Sequence, residues 1–341
     1  MNAQPPVSSE DQEFLALLVH RGFLVKEEAI EVLKAAAEIG LSDALEGAFG
    51  WDSKRQAFLR RTQGLSKPEI PGYQVESTLG VGGTSEVFLA RRAKDFQKVA
   101  LKILRPMLAR DEAAVKRFLE EAKVLAKLEH PFIVRGHRVF KFVGTFVLEM
   151  EYVSGQTLEE YLDEGRTFAE GEALDIIVQV ARVLEYMREQ GILHRDLKPG
   201  NLMLNKHGKL KVIDLGFAGE GMSGRATAGT TMGTPAYLSP EQARGEDDLD
   251  VRADIYSLGA TLYHLVLGRL PFEGQDDADI MRKQVLAGLS GSALKGRQVS
   301  PYLHYFIEKM MAKDREVRYA TPADLADDIE AHRRRQEDLD T

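Results

Sequence analysis

His194-Arg195-Asp196-Leu197-Lys198-Pro199-Gly200-Asn201, followed downstream by Asp214-Leu215-Gly216, is the stretch on which the reading of this chain turns. As ordinary loop sequence such an octad would hardly arise by chance. Three weaker signals precede it. The first is Leu79-Gly80-Val81-Gly82-Gly83-Thr84-Ser85-Glu86-Val87. Glycines let backbone amides approach phosphate oxygens with no Cβ in the way. This loop lies between two strand-like runs, which argues against a dinucleotide fingerprint or a Walker A loop. By itself it would equally suit a glycine-rich hairpin turn. The second is Val99-Ala100-Leu101-Lys102, where an ammonium on a strand beneath that loop would pair the α- and β-phosphates. The third is Glu121, within Phe118-Leu119-Glu120-Glu121-Ala122, a carboxylate able to hold Lys102 in place. Neighbouring residues on a helix point about 100° apart, so only one of Glu120 and Glu121 can do so. Taken singly, Lys102 reads as an edge-strand charge and either glutamate as a solvated helix face; in order with the octad they do not.

Composition narrows the alternatives. The chain has 341 residues, an apolar share of 44% and no cysteine. That length is long for one compact domain and short for three, which suits a large core with one small extra module. Without cysteine there are no disulfides, zinc–thiolate sites or cysteine nucleophiles. The net charge of −8 sets the surface as a whole against nucleic acid and anionic membranes. The Arg333-Arg334-Arg335 cluster reads as a solvated helix face. No apolar run reaches the roughly 18 residues a membrane span needs. Residues 1–9 lack the basic start and apolar core of a signal peptide. The expectation is a cytoplasmic protein with neither a nucleic-acid nor a membrane partner.

Residues 8–64 read as short helices. Ser9 with Gln12 forms a candidate capping box. Phe14, Leu15, Leu17 and Leu18 make an apolar face that Gly22 ends. Residues 27–37 form a second helix, with Ile30, Leu33 and Ala37 on one side and Gly40 as its stop. Ser53 with Gln56 opens another, and Trp51 lies between. Ser66, Pro68, Pro71 and Gly72 mark residues 65–72 as a linker or entry turn. Residues 1–68 are therefore read as a helical module with its linker, and 69–335 as the main domain. From Tyr73 on, Val75, Val87, Phe88, Leu89, Val99, Leu101 and Ile103 fall in β-rich runs. Residues 111–128 form a strongly amphipathic helix, and strands recur near 139–142 and 145–150. Helices dominate from Leu158, the last starting at Pro322, with 336–341 a polar tail. The expected fold class is α+β: a small β-rich lobe (about 72–152) and a large helical lobe (about 153–335) behind the helical module.

In that frame the octad and Asp214-Leu215-Gly216 strongly resemble the catalytic loop and metal-binding motif of protein kinases. Gly233-Thr234-Pro235-Ala236-Tyr237-Leu238-Ser239-Pro240-Glu241 looks like the end of a kinase activation segment. Asp254-Ile255-Tyr256-Ser257-Leu258-Gly259 looks like the start of the helix behind it, and Arg318 falls where the family pairs an arginine with the Glu241 carboxylate. The resemblance covers about residues 73–329. Gly82-Gly83-Thr84-Ser85-Glu86-Val87 and Ser239-Pro240-Glu241-Gln242-Ala243-Arg244-Gly245 are most like the bacterial eukaryotic-like Ser/Thr kinases, of which the chain is identified as a member.

The resemblance implies transfer of the ATP γ-phosphate to Ser/Thr hydroxyls of proteins, with Mg²⁺ (or Mn²⁺) as cofactor. It gives Gly80, Gly82, Gly83 and the Ser85 amide the covering of the phosphates, with Leu79, Val81 and Thr84 in the same nucleotide-facing turn. Lys102, oriented by Glu121, would contact the α- and β-phosphates, and Asp214 and Asn201 would hold the metal. Asp196 would accept the hydroxyl proton and Lys198 would neutralise the γ-phosphate. Thr234 would bridge Asp196 and Lys198 and shape the acceptor site. Adenine would sit against Ala100 and the gatekeeper Met150, between Val87 and Met203, read by the backbone of Glu151 and Val153. Outside the kinase frame those apolar residues would be plain core. Three positions depart from the pattern. Ser85 replaces the third loop glycine, Leu215 replaces the usual Phe, and Gly200 separates Pro199 from Asn201.

Arg195 would receive a phosphate on the activation loop, since a planar fork suits phosphate. Residues 216–233 offer Ser223, Thr227, Thr230 and Thr231, with autophosphorylation expected at one of the threonines. Expected partners are ATP, protein substrates and a protein partner for the N-terminal module. In that module Arg21-Gly22-Phe23-Leu24-Val25-Lys26-Glu27-Glu28 loosely resembles small helical modules found beside bacterial kinases. Packing on the kinase lobe is the alternative, and His20 and Arg21 read as surface residues. A pseudokinase-like scaffold that binds ATP without turnover would lack Lys102, Asp196 or Asp214, and all three are present. A small-molecule or lipid kinase would have no use for the complete 233–241 segment. Fold alone would not decide between these readings.

Overall fold

The computed structural model describes residues 7–62, 65, 67–216, 234–289 and 299–340. They fall into two compact units, one of residues up to Ala122 with Gly136–Tyr152, the other of Lys123–Arg135 with residues from Val153 on. Ser223, Thr227, Thr230, Thr231 and Gly233 lie outside the described residues.

In the first unit four helices, α1 Ser9–His20, α2 Lys26–Ile39, α3 Leu41–Phe49 and α4 Ser53–Arg61, precede a sheet. They close on their own core of Phe14, Leu18, Leu24, Leu45 and Trp51. The sequence expectation needs three corrections here. Ser8, not Ser9, caps α1, its hydroxyl accepting from the Asp11 amide at 3.1 Å. Asp52, not Ser53, caps α4, accepting from Arg55 at 2.8 Å. A cap must leave the helix with extended backbone, and Ser8 and Asp52 are the residues that do. Thirdly, α2 buries Val32 and Ala36 rather than Ile30 and Ala37, which are exposed. Gly40 stops α2 with φ of 86°, as expected, but the chain then enters α3 at once.

The sheet is antiparallel, in the order β1-β2-β3-β5-β4, from β1 Tyr73–Val81, β2 Ser85–Arg92, β3 Lys98–Leu104, β4 Gly136–Phe142 and β5 Thr145–Glu151. Side chains alternate between the faces of a strand, and β3 is central and buried on both. Val99 and Leu101 join Ile70, Tyr73, Ala90 and Val147 in a core on one face. Ala100 and Lys102 point to the other, where the register sets Val87 opposite Lys102 and Met150 opposite Ala100. The β4–β5 turn, Val143-Gly144, has φ of 47° and 78°, as a two-residue hairpin of type I′ requires. A Cβ on Gly144 would lie 2.3 Å from Nη1 of Arg55, so α4 packs against this turn. Arg110, just before α5 Glu112–Lys127, bonds the Glu28 carboxylate at 2.7 Å and the Phe23 carbonyl. The helical module is thus tied both to the sheet and to the entry of α5.

Glu149, paired in register with Leu101, is a carboxylate on the apolar face and is only 1% exposed. It accepts from the Tyr73 hydroxyl, from Arg92 and, at 2.9 Å, from Arg138. Burial pushes this carboxyl up, but the three hydrogen bonds outweigh burial and hold it below the usual carboxylate range. Tyr73 is pushed up to about 12 by burial and by Glu149.

The second unit is helical, as expected. Its helices are α6 Leu158–Asp163, α7 Glu170–Glu189, α8 Pro240–Ala243, α9 Val251–Leu267, α10 Asp277–Leu286, α11 Pro301–Met310 and α12 Pro322–Asp340. Helix α9 is buried nearly all round, the pattern of a central helix. A Cβ on Gly259 would lie 2.7 Å from Cβ of Met310, so glycine lets α11 approach it. A small sheet, β6 Gly155–Thr157, β7 Leu202–Asn205 and β8 Leu210–Val212, lies in order β6-β7-β8. Arg318 and Glu241 form a two-pronged pair at 2.6 and 2.9 Å, with side chains 0% and 2% exposed. Among the described residues no helix is long and apolar enough to cross a membrane.

The Glu149 cluster makes the first unit acid-sensitive. A carboxylate with depressed folded pKa contributes stability above its unfolded pKa and loses it as pH falls through the folded value. Glu149→Gln is therefore expected to flatten the loss of melting temperature below about pH 4, read by thermal unfolding of both proteins at pH 7 and through the acid range. An acid limb as steep as the wild type's would contradict this account.

Candidate active site

Within the first unit, the Lys102 ammonium lies 2.6 Å from Oε1 of Glu121, both side chains largely buried at 9% and 14% exposure. Glu120 faces Lys116 instead, at 3.9 Å, so the ambiguity between the two glutamates resolves on Glu121. Leu79-Gly80-Val81 ends β1 and Ser85 opens β2, with Gly82-Gly83-Thr84 as the tip. The Gly82 amide is committed to the turn, donating to the Ser85 carbonyl at 2.8 Å. Neither Gly80 nor Gly83 has a left-handed φ, and a Cβ on either would meet no described atom within 4 Å. Turn geometry and packing therefore do not require glycine there, which fits an open edge that something outside the chain approaches closely. Leu79 and Val81, 43% and 65% exposed, are unusually open for apolar residues. Ala100 and Met150 are buried, and Val87, Glu151 and, in the second unit, Val153 and Met203 are half-buried.

In the second unit a hairpin brings the two halves of the deciding motif together. Leu202 pairs with Val212, so the residues flanking them, Asn201 and Ile213, also meet: the Ile213 amide donates to the Asn201 carbonyl at 3.0 Å. Asp214 follows immediately. The Asn201 side chain donates to the Asp196 carbonyl at 2.7 Å and to its Oδ2 at 3.3 Å. With Nδ2 so committed, the Asn201 amide oxygen remains as an acceptor, and Asp214 adds a carboxylate directly after Ile213; oxygens of these two kinds are the donors a hard divalent cation prefers. A Cβ on Gly216 would fall 2.2 Å from that of Asp196, so glycine is obligatory for this approach.

Asp196 is engaged from three sides. Lys198 lies 3.1 Å from its Oδ2, the Thr234 amide 3.3 Å from its Oδ1, and Asn201 completes the set. Lys198 also donates to the Thr234 hydroxyl at 2.8 Å. An acid, a cation and a hydroxyl are thus gathered at the mouth of one loop.

Two residues outside the expected set hold that loop. Asp254 accepts from the His194 amide at 2.9 Å and the Arg195 amide at 2.8 Å. Gln242 donates to the Arg195 carbonyl at 2.8 Å. Arg195 itself has φ of 66°, a left-handed conformation. Burial pushes the Asp254 carboxyl above the ordinary range, opposed by His194, Arg195 and their amides. An acid at the head of the mostly apolar helix run Asp254-Ile255-Tyr256-Ser257-Leu258 is the sequence signal for this role. Nε and Nη1 of Arg195 are buried with no acceptor among the described residues. Leu215 is buried at 1% exposure.

The chain matches the family described as "Protein kinase domain" over residues 73–332. It is 37% identical over 267 residues, 76% of its length, to a probable serine/threonine-protein kinase SCO3848 of Streptomyces coelicolor. It is 38% identical to serine/threonine-protein kinase PknB of Mycolicibacterium smegmatis and 35% identical to serine/threonine-protein kinase PrkC of Bacillus subtilis, each across 75% of this chain. These matches cover 39%, 42% and 40% of the three relatives, so the chain spans about two fifths of their length.

Asp254→Asn presents at most one acceptor in place of two. The variant is expected to lose about 1–3 kcal/mol of stability, with faster hydrogen exchange at the His194 and Arg195 amides. Chemical denaturation and exchange mass spectrometry read both, and wild-type exchange at those amides would refute the assigned role.

Proposed function

The chain belongs to the protein kinase family and has bacterial Ser/Thr kinases among its relatives, and from that premise we propose that it transfers the γ-phosphate of ATP to Ser/Thr hydroxyls of proteins. The observation that carries this reading is the cluster in which Lys198 bridges the Asp196 carboxylate and the Thr234 hydroxyl. A base, a cation and an acceptor-side hydroxyl at one point are what in-line phosphoryl transfer needs.

The roles are those the kinase resemblance assigns, residue by residue. The glycine turn, with the amides of Gly80, Gly83 and Ser85, covers the phosphates, and Lys102, held by Glu121, contacts the α- and β-phosphates. Asp214 and Asn201 hold Mg²⁺ or Mn²⁺, which when bound neutralises charge on the transferring group. On the first unit Val87, Ala100 and Met150 take the adenine, with the backbone of Glu151 reading its edge, and the family resemblance gives Met203 and the backbone of Val153, in the second unit, roles toward the same ring. Asp196 orients the acceptor hydroxyl and accepts its proton. As the new O–P bond forms, the bond from the γ-phosphorus to the bridging oxygen breaks and ADP leaves. Lys198 offsets the charge that builds up on the γ-phosphate.

Regulation is part of the same proposal. The buried Nε and Nη1 of Arg195 lack acceptors among the described residues, which suits a phosphate on Thr227, Thr230 or Thr231. The ties of Arg110 to Glu28 and Phe23 support a regulatory module that acts through the entry of α5.

Incubation with ATP and Mg²⁺ followed by phosphosite mapping tests this, with Asp196→Asn beside the wild type. Phosphate is expected on an activation-loop threonine of the wild type, and Asp196→Asn is expected to lower transfer by about 10²–10⁴-fold while still binding ATP. ATP binding with no phosphate on the chain or on a generic Ser/Thr protein would instead indicate a scaffold without turnover.

A further inference from the structure

Thr234 opens a short 3₁₀ turn, Pro235–Tyr237, and the path of that turn fixes where its hydroxyl meets Lys198. The turn's carbonyls point into the second unit and are held there. Nε2 of Gln284, from α10, donates to the Ala236 carbonyl at 2.7 Å and to the Pro235 carbonyl at 3.2 Å. The oxygen of the same amide accepts from the Tyr256 hydroxyl of α9 at 2.7 Å. That hydroxyl accepts from the Lys313 ammonium at 2.8 Å, and Lys313 also donates to the Gln284 main-chain carbonyl at 2.6 Å. Gln284 and Tyr256 are both fully buried. Each bond along this chain runs in one direction, from Lys313 through Tyr256 and Gln284 to the turn. Hydrogen bonds so aligned polarise one another, most strongly in a low-dielectric interior.

Packing alone does not explain this choice of residues. A buried side-chain amide is costly unless both ends are satisfied, and an apolar residue of the same volume would fill the space without that demand. Lys313 is more unusual. It lies 4.2 Å from the Phe272 ring centroid, its charge opposed by burial and by nearby Arg318, and it is held down to about 8. Arg318 is itself neutralised by Glu241. A cation kept in such a place at the head of a directed chain indicates that its end point matters.

We propose that Gln284 and Lys313 are positioning residues that set the acceptor turn Thr234–Tyr237, and so determine how tightly the protein substrate is held without touching it. The inference rests on the kinase reading for its kinetic consequence but not for its structural one.

Gln284→Met keeps the volume and removes both donors. It is expected to speed hydrogen exchange of the Tyr237 and Leu238 amides, which close the turn, and to leave exchange in β3 unchanged. With a Ser/Thr peptide acceptor, KM for the peptide is expected to rise about ten-fold, the equivalent of one lost hydrogen-bond contribution, while KM for ATP stays within about two-fold. Lys313→Met, at a half-buried site, should show a smaller shift of the same kind and guards against misfolding of the first variant. Unchanged exchange at the turn in both variants would overturn the proposal, and so would equal rises in the KM values for peptide and ATP. A wild type that transfers no phosphate overturns the kinase reading instead, and the exchange measurement still decides the positioning role.

Discussion

The second unit's chemistry depends on one buried carboxylate holding one strained turn. Arg195 sits at φ of 66°, where a residue with a Cβ costs on the order of 1–3 kcal/mol. Asp254 accepts from the amides on both sides of the peptide leading into it, and Gln242 takes the carbonyl leading out. The two hydrogen bonds into this buried carboxyl group, each contributing on the order of 1 kcal/mol, offset part of that strain and fix both amides. What the strain achieves is direction. The chain reverses at Arg195 and delivers Asp196 to a point where Lys198, Asn201 and Thr234 can all reach it. Asp254 can act as such an anchor because it stands on α9, the most deeply buried helix of the unit.

The first unit meets the same problem, a charge held in place inside a core, by another route. Strand β3 is covered on both faces, and each face carries one buried ionic group. On one side Glu149 is shared by Tyr73, Arg92 and Arg138. On the other, Lys102 meets Glu121. The alternation of the strand keeps the two systems apart although their strands are neighbours. Glu149 is surrounded by donors and serves structure, whereas Lys102 lies on the face that also carries Val87, Ala100 and Met150.

Much of this was legible in the sequence because the deciding groups lie close together along it. The octad and Asp214-Leu215-Gly216 are local, and the hairpin that joins them spans little chain. Lys102 and Glu121 were legible as candidates, but only three-dimensional packing could separate Glu121 from Glu120. The misreadings lay where tertiary context decides between near-equals. Ser8 and Ser9 are both competent caps, as are Asp52 and Ser53, and the choice follows from where the backbone leaves the helix. Helix α2 carries apolar residues on more than one side, and the core around Phe14 and Trp51 selected Val32 and Ala36. Gln284 and Lys313 were invisible for a different reason. Their partners include main-chain carbonyls and a residue of another helix, and no residue type advertises a bond to a distant carbonyl.

Gly216 carries a consequence for how this sequence can vary. A methyl group there would meet Cβ of Asp196 at 2.2 Å and its backbone at 3.2 Å. The neighbour that blocks it is backbone-proximal and cannot swing aside like the tip of a long chain. The loop bearing Asp196 and the segment bearing Asp214 are therefore not free to drift separately. A change at position 216 would be tolerated only after the Asp196 loop had shifted, and that shift alone would cost the contacts of Lys198 and Thr234. Effects of substitutions in the two segments should be strongly non-additive, so that in any lineage of such sequences the two motifs vary as a single inherited unit.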